Sequence, residues 1–248
     1  MGIKCKLYHD NFQNFKRYNI PKAQLIIADI PYNIGKNFYG SNPMWYVGGN
    51  NKNGESKLAG KAAFNTDVNF NIAEYFHFCN RLLKKEPKKS NGRGKSSDAP
   101  CMIVFCAFEQ IEVVRRYAEK HGFAHCIPLI FCKNYSPQVL KANMRICGAT
   151  EYALVLYRDR LPKFRNGGKI HPAQKPVGVL KRLIELFTDP GDVIIDPCAG
   201  SGATLRAAAE LGRNSYGFEM DRDFYKKALS EMIPEEILQV LHPYTLYD

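Results

Sequence analysis

The stretch from Val193 to Glu219 restricts the possible fold more than any other part of the chain. A short apolar run, Val193 to Ile195, ends in Asp196-Pro197-Cys198-Ala199-Gly200-Ser201-Gly202. An alanine-rich segment, Ala203 to Leu211, follows and is closed by Gly212; Ser215 to Phe218 is apolar again and stops at Glu219. Strand, glycine turn, helix, strand, acid is the arrangement with which parallel α/β sheets hold nucleoside cofactors. Glycines at such a turn let the backbone pass close under a ligand where a side chain would collide. An acidic residue just after the second strand is placed to take the two hydroxyls of a ribose. The pattern departs from the dinucleotide fingerprint, because Leu205 stands where the third glycine belongs. No lysine follows in P-loop fashion either. A cofactor with an adenosine but no pyrophosphate fits best.

The rest of the chain repeats the alternation. Gln24 to Ala28 reads as a buried strand, Ile72 to Lys84 as an amphipathic helix, and Cys101 to Phe108 as a strand. Glu109 to Lys120 reads as a helix closed by Gly122, Cys126 to Cys132 and Tyr152 to Tyr157 as strands, and Val177 to Phe187 as a helix after which Asp189-Pro190-Gly191-Asp192 turns the chain. Strands alternating with helices predict an α/β fold with a doubly wound, mostly parallel sheet. The length of 248 residues suits a single catalytic domain over 1–248. Two stretches interrupt the rhythm. The Gly- and Asn-rich segment 35–67 carries Tyr39, Trp45 and Tyr46 and reads as a functional loop, and Lys84 to Lys95 is a basic, proline- and glycine-broken loop.

A second centre of chemistry sits at Asp29-Ile30-Pro31-Tyr32, where the first apolar run ends. The C-terminal ends of strands are where open α/β sheets bind ligands. An exocyclic amine of adenine or cytosine is a poor nucleophile, because its lone pair is delocalised into the ring. A carboxylate and a carbonyl accepting its two N–H bonds would draw the nitrogen toward tetrahedral geometry and free that pair. Asp29 and the Ile30 carbonyl can supply these acceptors, and Tyr32 a flat face on which an extruded base can stack.

Asp29-Ile30-Pro31-Tyr32 resembles the D-P-P-Y motif of DNA amino-methyltransferases, and Asp196 to Gly202 resembles their D-P-F-x-G-S-G cofactor motif. His171-Pro172-Ala173-Gln174-Lys175-Pro176 is similar to their H-P-x-Q-K-P segment, and Ile130 to Asn134 to a strand-end motif. The order, catalytic motif first and cofactor motif last, is similar to the circularly permuted group called class β. The resemblance implies a Rossmann-like methyltransferase fold, S-adenosylmethionine as methyl donor, and an amino group of a flipped base as acceptor, N6 of adenine ahead of N4 of cytosine. The preference for adenine rests on Asp29, where relatives acting on cytosine more often carry Ser. By the same resemblance Glu219 would hold the ribose hydroxyls, and Asp196 with Cys198, Ala199, Gly200, Ser201 and Gly202 would floor the methionine part. His171 and Lys175 would close the methionine side, with Asp29 between base and donor. Two positions depart from the family pattern: Ile30 replaces the first proline, and Cys198 replaces a phenylalanine.

Composition supports a polyanionic partner. The chain carries 35 Lys+Arg against 24 Asp+Glu, a net charge of +11, and neutralising phosphates releases condensed counterions. Lys133, Asn134, Lys141, Arg145 and Arg165 lie in the stretch 133–170 that the resemblance assigns to target recognition, so they are the candidate contacts to double-stranded DNA. The eight cysteines form no C-x-x-C pair, which argues against a metal site and a disulfide framework. No apolar run is long enough to span a bilayer and no signal-peptide core opens the chain, so a cytoplasmic, DNA-associated enzyme is expected. A companion restriction endonuclease, and monomer against homodimer, stay open. Readings of other classes are a nucleotide-binding oxidoreductase and a non-catalytic DNA-binding module. A cytosine-C5 mechanism through Cys198 would need its thiolate to face the base, whereas Cys198 belongs to the cofactor turn.

Overall fold

The structure is a computed structural model and describes residues 2–31, 70–88, 98–132, 138–141, 146–148, 150–165 and 176–233. A seven-stranded sheet forms its centre. In chain order its strands are β1 (Cys5–His9), β2 (Leu25–Asp29), β3 (Cys101–Cys106), β4 (His125–Cys132), β7 (Thr150–Tyr157), β8 (Val193–Asp196) and β9 (Asn214–Glu219). Across the sheet they run β1-β9-β8-β2-β3-β7-β4. Every pairing is parallel except the two made by β7, which runs against both β3 and β4. A separate two-stranded hairpin, β5 (Gln138–Lys141) with β6 (Ile146–Gly148), is inserted between β4 and β7.

Alternation along the strands divides the core into two layers. Ile26 and Ala28 of β2 pack with Tyr75, Phe76 and Cys79 of α1 (Ile72–Leu82) and Val114 of α2 (Ile111–Lys120). Leu25 and Ile27 face the other way, onto Leu183, Ile184 and Phe187 of α3 (Pro176–Phe187) and Ala207 and Ala208 of α4 (Ala203–Glu210). The small alanines let α4 lie close to the sheet. Asn71 starts α1 by accepting the N–H groups of Ala73 and Glu74 at 3.0 and 3.2 Å, an N-cap that satisfies two otherwise orphaned donors.

This division creates the feature that matters for function. From β8 the chain passes through α4 to β9 on one side, and from β2 through α1 to β3 on the other, with α4 and α1 on opposite faces. The order therefore reverses between β8 and β2, and a crevice opens beyond their C-terminal ends.

The stretch 133–170 does not form one recognition unit. The chain leaves the sheet at Cys132 and rejoins it at Thr150, which pair with each other, and the residues described between them form the separate β5–β6 hairpin. Residues 150–157 are a core strand, with Ala153 to Leu156 buried. The chain after β7 returns along the opposite edge of the sheet, where the Lys163 N–H bonds the Ala99 carbonyl just ahead of β3.

Candidate active site at the switch point

Asp196 ends β8 in the core. Its carboxylate accepts the Cys198 N–H at 3.0 Å and a hydrogen bond from Thr204 of α4, so it ties the strand end both to the glycine turn and to the helix that follows. Burial pushes the Asp196 carboxyl up to about 7; the bonds from Thr204 and Cys198 oppose the rise and the nearby Glu219 charge adds to it. The turn fits tightly. Gly202 enters α4 at φ +78°, a left-handed conformation that favours glycine. A Cβ at Gly217 would lie 2.8 Å from Leu205 Cδ1 and 3.1 Å from Ala199 Cβ, so glycine lets β9 pass beneath the turn without displacing Leu205. The Ala199 N–H then bonds the Phe218 carbonyl at 2.9 Å, stitching turn to strand.

Glu219, at the end of β9, is buried. Its two oxygens accept the Gly200 N–H at 2.9 Å and the Asp221 N–H at 2.7 Å. Burial raises its carboxyl above the ordinary value, against the lowering effect of bonds from the Asp221, Gly200 and Met220 backbone. Glu219 thus holds the turn from one side as Asp196 holds it from the other.

Across the crevice, Asp29 stands exposed at the end of β2. β2 pairs with β8 in parallel, Leu25 opposite Ile194 and Ile26 opposite Ile195. The two acidic strand ends are therefore neighbours on one edge, with Asp29 reaching farther out. Ile30 is buried, and its N–H donates to the Phe105 carbonyl at 3.1 Å. That bond extends the β2–β3 ladder by one residue, and a proline there could not make it. The Pro31 carbonyl accepts from Gln110 Nε2 at 2.9 Å.

Cys198 reports how closely these groups gather. Burial raises its thiol well above the ordinary value, and Asp196, Cys79, Glu219 and Asp29 all add to the rise. Three carboxylates thus share one crevice in a chain of net charge +11. Such a crevice suits a ligand carrying local positive charge and keeps the Cys198 thiol protonated, which speaks against its serving as a nucleophile.

Of the other residues singled out from the sequence, Ala199 is buried and Ser201 exposed in the turn, and Lys141 ends β5. Tyr32, Lys133, Asn134, Arg145, His171 and Lys175 lie outside the described residues, as does the segment 35–67. Arg165 requires a correction: it is not at this edge. Its guanidinium pairs with Asp189 at 2.6 and 2.8 Å and with Asp98 at 3.1 Å, beside the turn that leads into β8 and the residues that lead into β3. Spacing from its basic neighbours placed it with DNA contacts, but the reversed strand β7 carries the chain to the far side of the sheet before residue 158. Thr204 and Gln110 were not singled out. Thr204 is a polar residue set between Ala203 and Leu205 at the start of an alanine-rich helix, whereas Gln110 leaves no trace in sequence because its partner is 79 residues away.

The fold is that of the S-adenosylmethionine-dependent methyltransferases. A family model described as DNA methylase matches residues 159–230, the part of the chain that carries the glycine turn and Glu219. The DNA adenine methyltransferase YhdJ of Escherichia coli (strain K12) is 28% identical over 263 residues, spanning 92% of this chain and 82% of that protein. Among solved structures, the M1.HpyAVI-SAM complex superposes with a TM-score of 0.60 at 20% identity, over 90% of this chain and 97% of the other. The PvuII DNA methyltransferase (cytosine-N4-specific) does so with 0.57 at 15% identity, over 96% and 92%. The chain is thus similar to DNA methylases over residues 159–230 and to an adenine methyltransferase over most of its length.

Proposed function

We propose that this protein transfers the methyl group of S-adenosylmethionine to the exocyclic amine of a base flipped out of double-stranded DNA, and that the base is adenine, methylated at N6. The observation that carries the reading is the meeting of Asp29 with the Asp196–Gly202 turn at one switch point. S-adenosylmethionine, when bound, supplies an activated methyl on a sulfonium, so no covalent protein intermediate is required. The residues present fit such a donor: three carboxylates gather around the turn, and a sulfonium is a cation.

The chain's own part is to hold and orient. Asp196, through Thr204 and the Cys198 N–H, and Glu219, through the Gly200 N–H, keep the turn in one conformation. The free acceptor capacity of Glu219 would take a ribose hydroxyl. His171 and Lys175 would close the methionine side. On the opposite wall Asp29 and the Ile30 carbonyl accept the two N–H bonds of the target amine, which concentrates its lone pair on nitrogen. Pro31 restricts the backbone after Ile30, and Tyr32 would offer a face on which the base can stack. The chain departs toward the β5–β6 hairpin from the C-terminal end of β4, the same edge as Asp29. That placement supports Lys133, Asn134, Lys141 and Arg145 as the contacts that position or read DNA.

Adenine is favoured by the aspartate at position 29 and by the adenine-named relative. The N4 amine of cytosine presents the same two N–H bonds and is the alternative reading. Incubating the protein with DNA and tritiated donor, then hydrolysing and separating the bases, decides between them. Label in N6-methyladenine is expected; label in N4-methylcytosine reassigns the base, and an unlabelled DNA fraction overturns the function.

A further inference from the structure

The acceptor groups assigned to the target amine must be held still if they are to shape its geometry, and in this chain the usual device is missing. A proline after the aspartate would lock φ at that residue; Ile30 leaves it free to rotate. The structure contains two replacements, and one of them is a side chain from another element. The first is the Ile30 N–H bond to the Phe105 carbonyl. The second is the carboxamide of Gln110, the last residue of a short 3-10 turn, Phe108–Gln110, and the N-cap of α2. Gln110 Nε2 donates to the Pro31 carbonyl at 2.9 Å, and Gln110 Oε1 accepts the Ala107 N–H at 3.1 Å. A flipped amide would set oxygen against oxygen and N–H against N–H, so the partners themselves fix its orientation. A planar group bonded at both ends is a strut between the exit of β2 and the exit of β3.

We infer that Gln110 is a positioning residue of the methyl-transfer site, holding Asp29, the Ile30 carbonyl and the Pro31 carbonyl in register with the cofactor turn. The inference rests on the function proposed above and adds to it a residue outside all four family-like motifs.

The Gln110→Glu variant tests it, because it keeps shape and keeps the acceptor for Ala107 while turning the other end into an acceptor facing an acceptor. At pH 8 the expected outcome is a fall in kcat of about tenfold to a hundredfold, with KM for S-adenosylmethionine and the thermal midpoint close to wild type. At pH 5.5 the introduced carboxyl gains protons and can donate to Pro31 again, so the deficit relative to wild type should shrink. Gln110→Met, of similar length with neither bond, should show the deficit at every pH. A wild-type kcat for Gln110→Glu at pH 8 overturns the inference while leaving the proposed function intact. Hydrogen exchange at the Ile30 amide is read without any methyl transfer. It should quicken in both variants. If wild-type protein labels no DNA, the functional reading fails, and unchanged exchange at Ile30 would then remove the strut as well.

Discussion

The two edges of the sheet use the same residue types to opposite ends. At the edge where β2, β3 and β8 begin, Asp189 and Asp192 are met by cations: Lys163 reaches both, at 2.9 and 2.8 Å, Lys84 reaches Asp192 at 3.0 Å, and Arg165 bridges Asp189 to Asp98. There Asp189 is held below the usual carboxylate range by its bonds to Arg165 and Lys163. Asp192 is also lowered, although burial alone would raise it, because Lys163, Lys84 and the Asp189 N–H bond it. At the edge where β8 and β9 finish, Asp196 and Glu219 are bonded to backbone N–H groups and to Thr204, and burial raises both. An ion-paired carboxylate ties chain segments together. A carboxyl bonded to neutral donors in a buried site has no cation to hold its charge, so burial favours its protonated form and ionising it comes at a cost to the fold. The comparison teaches that acidic residues at one end of this sheet are neutralised by cations, whereas those at the other end are bonded to neutral donors beside the glycine turn.

The sharpest break of the comparison is Asp29→Ala. If Asp29 is an acceptor for the target amine, its loss should lower the rate of methyl transfer by about 10²–10³. Binding of S-adenosylmethionine, measured by calorimetry, should persist, because the glycine turn and Glu219 are untouched. Turnover equal to wild type would remove Asp29 from the reaction and with it the functional character proposed for that edge.

A paired measurement against pH probes the electrostatic half of the contrast. Asp196 has a folded value near 7 against an ordinary 3.8, so the folded state holds its proton through the window in which the unfolded chain has lost it. Its contribution is therefore fully present below about pH 4 and is lost as pH rises toward 7. Asp189 and Asp192 are lowered instead, so their contribution is present above about pH 4 and is lost on acidification. Asp196→Asn, which can still bond the Cys198 N–H, should leave the thermal midpoint unchanged at pH 4.5 and raise it by roughly 2–5 °C at pH 8. Lys163→Met takes one cationic partner from each of Asp189 and Asp192, which keep Arg165 and Lys84, and should cost about 1 kcal/mol at pH 8, less as acid protonates them, with kcat unaltered. Parallel pH profiles for the two variants would mean that the edges do not differ as described.

How far the sequence revealed this protein follows the same division. The β8–turn–α4–β9 unit and the strand ending at Asp29 were legible because period and punctuation are local: apolar runs, glycines at fixed offsets, an acid after a strand. β1 was not singled out, since Cys5 to His9 alternates weakly and is fixed by the parallel register of Cys5 with Ser215, some 210 residues away. The short α5 (Arg222–Lys227), capped by Asp221, was missed for its brevity. The reversal of β7 escaped for a deeper reason. A run such as Tyr152 to Tyr157 states that a strand exists but carries no direction, and direction decided whether the basic residues after it lie on the DNA side. Gln110 is the same lesson in one side chain, because its role is set wholly by a contact across the sheet.

Arg165 gives the smallest expected effect and the most direct check on that direction. Its side chain is 43% exposed, and exposed ion pairs contribute little because solvent screens them, so Arg165→Ala should cost at most about 1 kcal/mol of stability. Affinity for duplex DNA should stay at the wild-type level across a salt titration. A lysine or arginine that contacts a phosphate adds roughly one unit to the slope of log affinity against log salt, and the slope here should not change. Lys141→Ala and Arg145→Ala, from the segment that leaves the sheet at the Asp29 edge, should each reduce it. A drop in slope for Arg165→Ala equal to theirs would mean that DNA reaches round to the ion-paired edge, and the separation of the two edges would no longer stand.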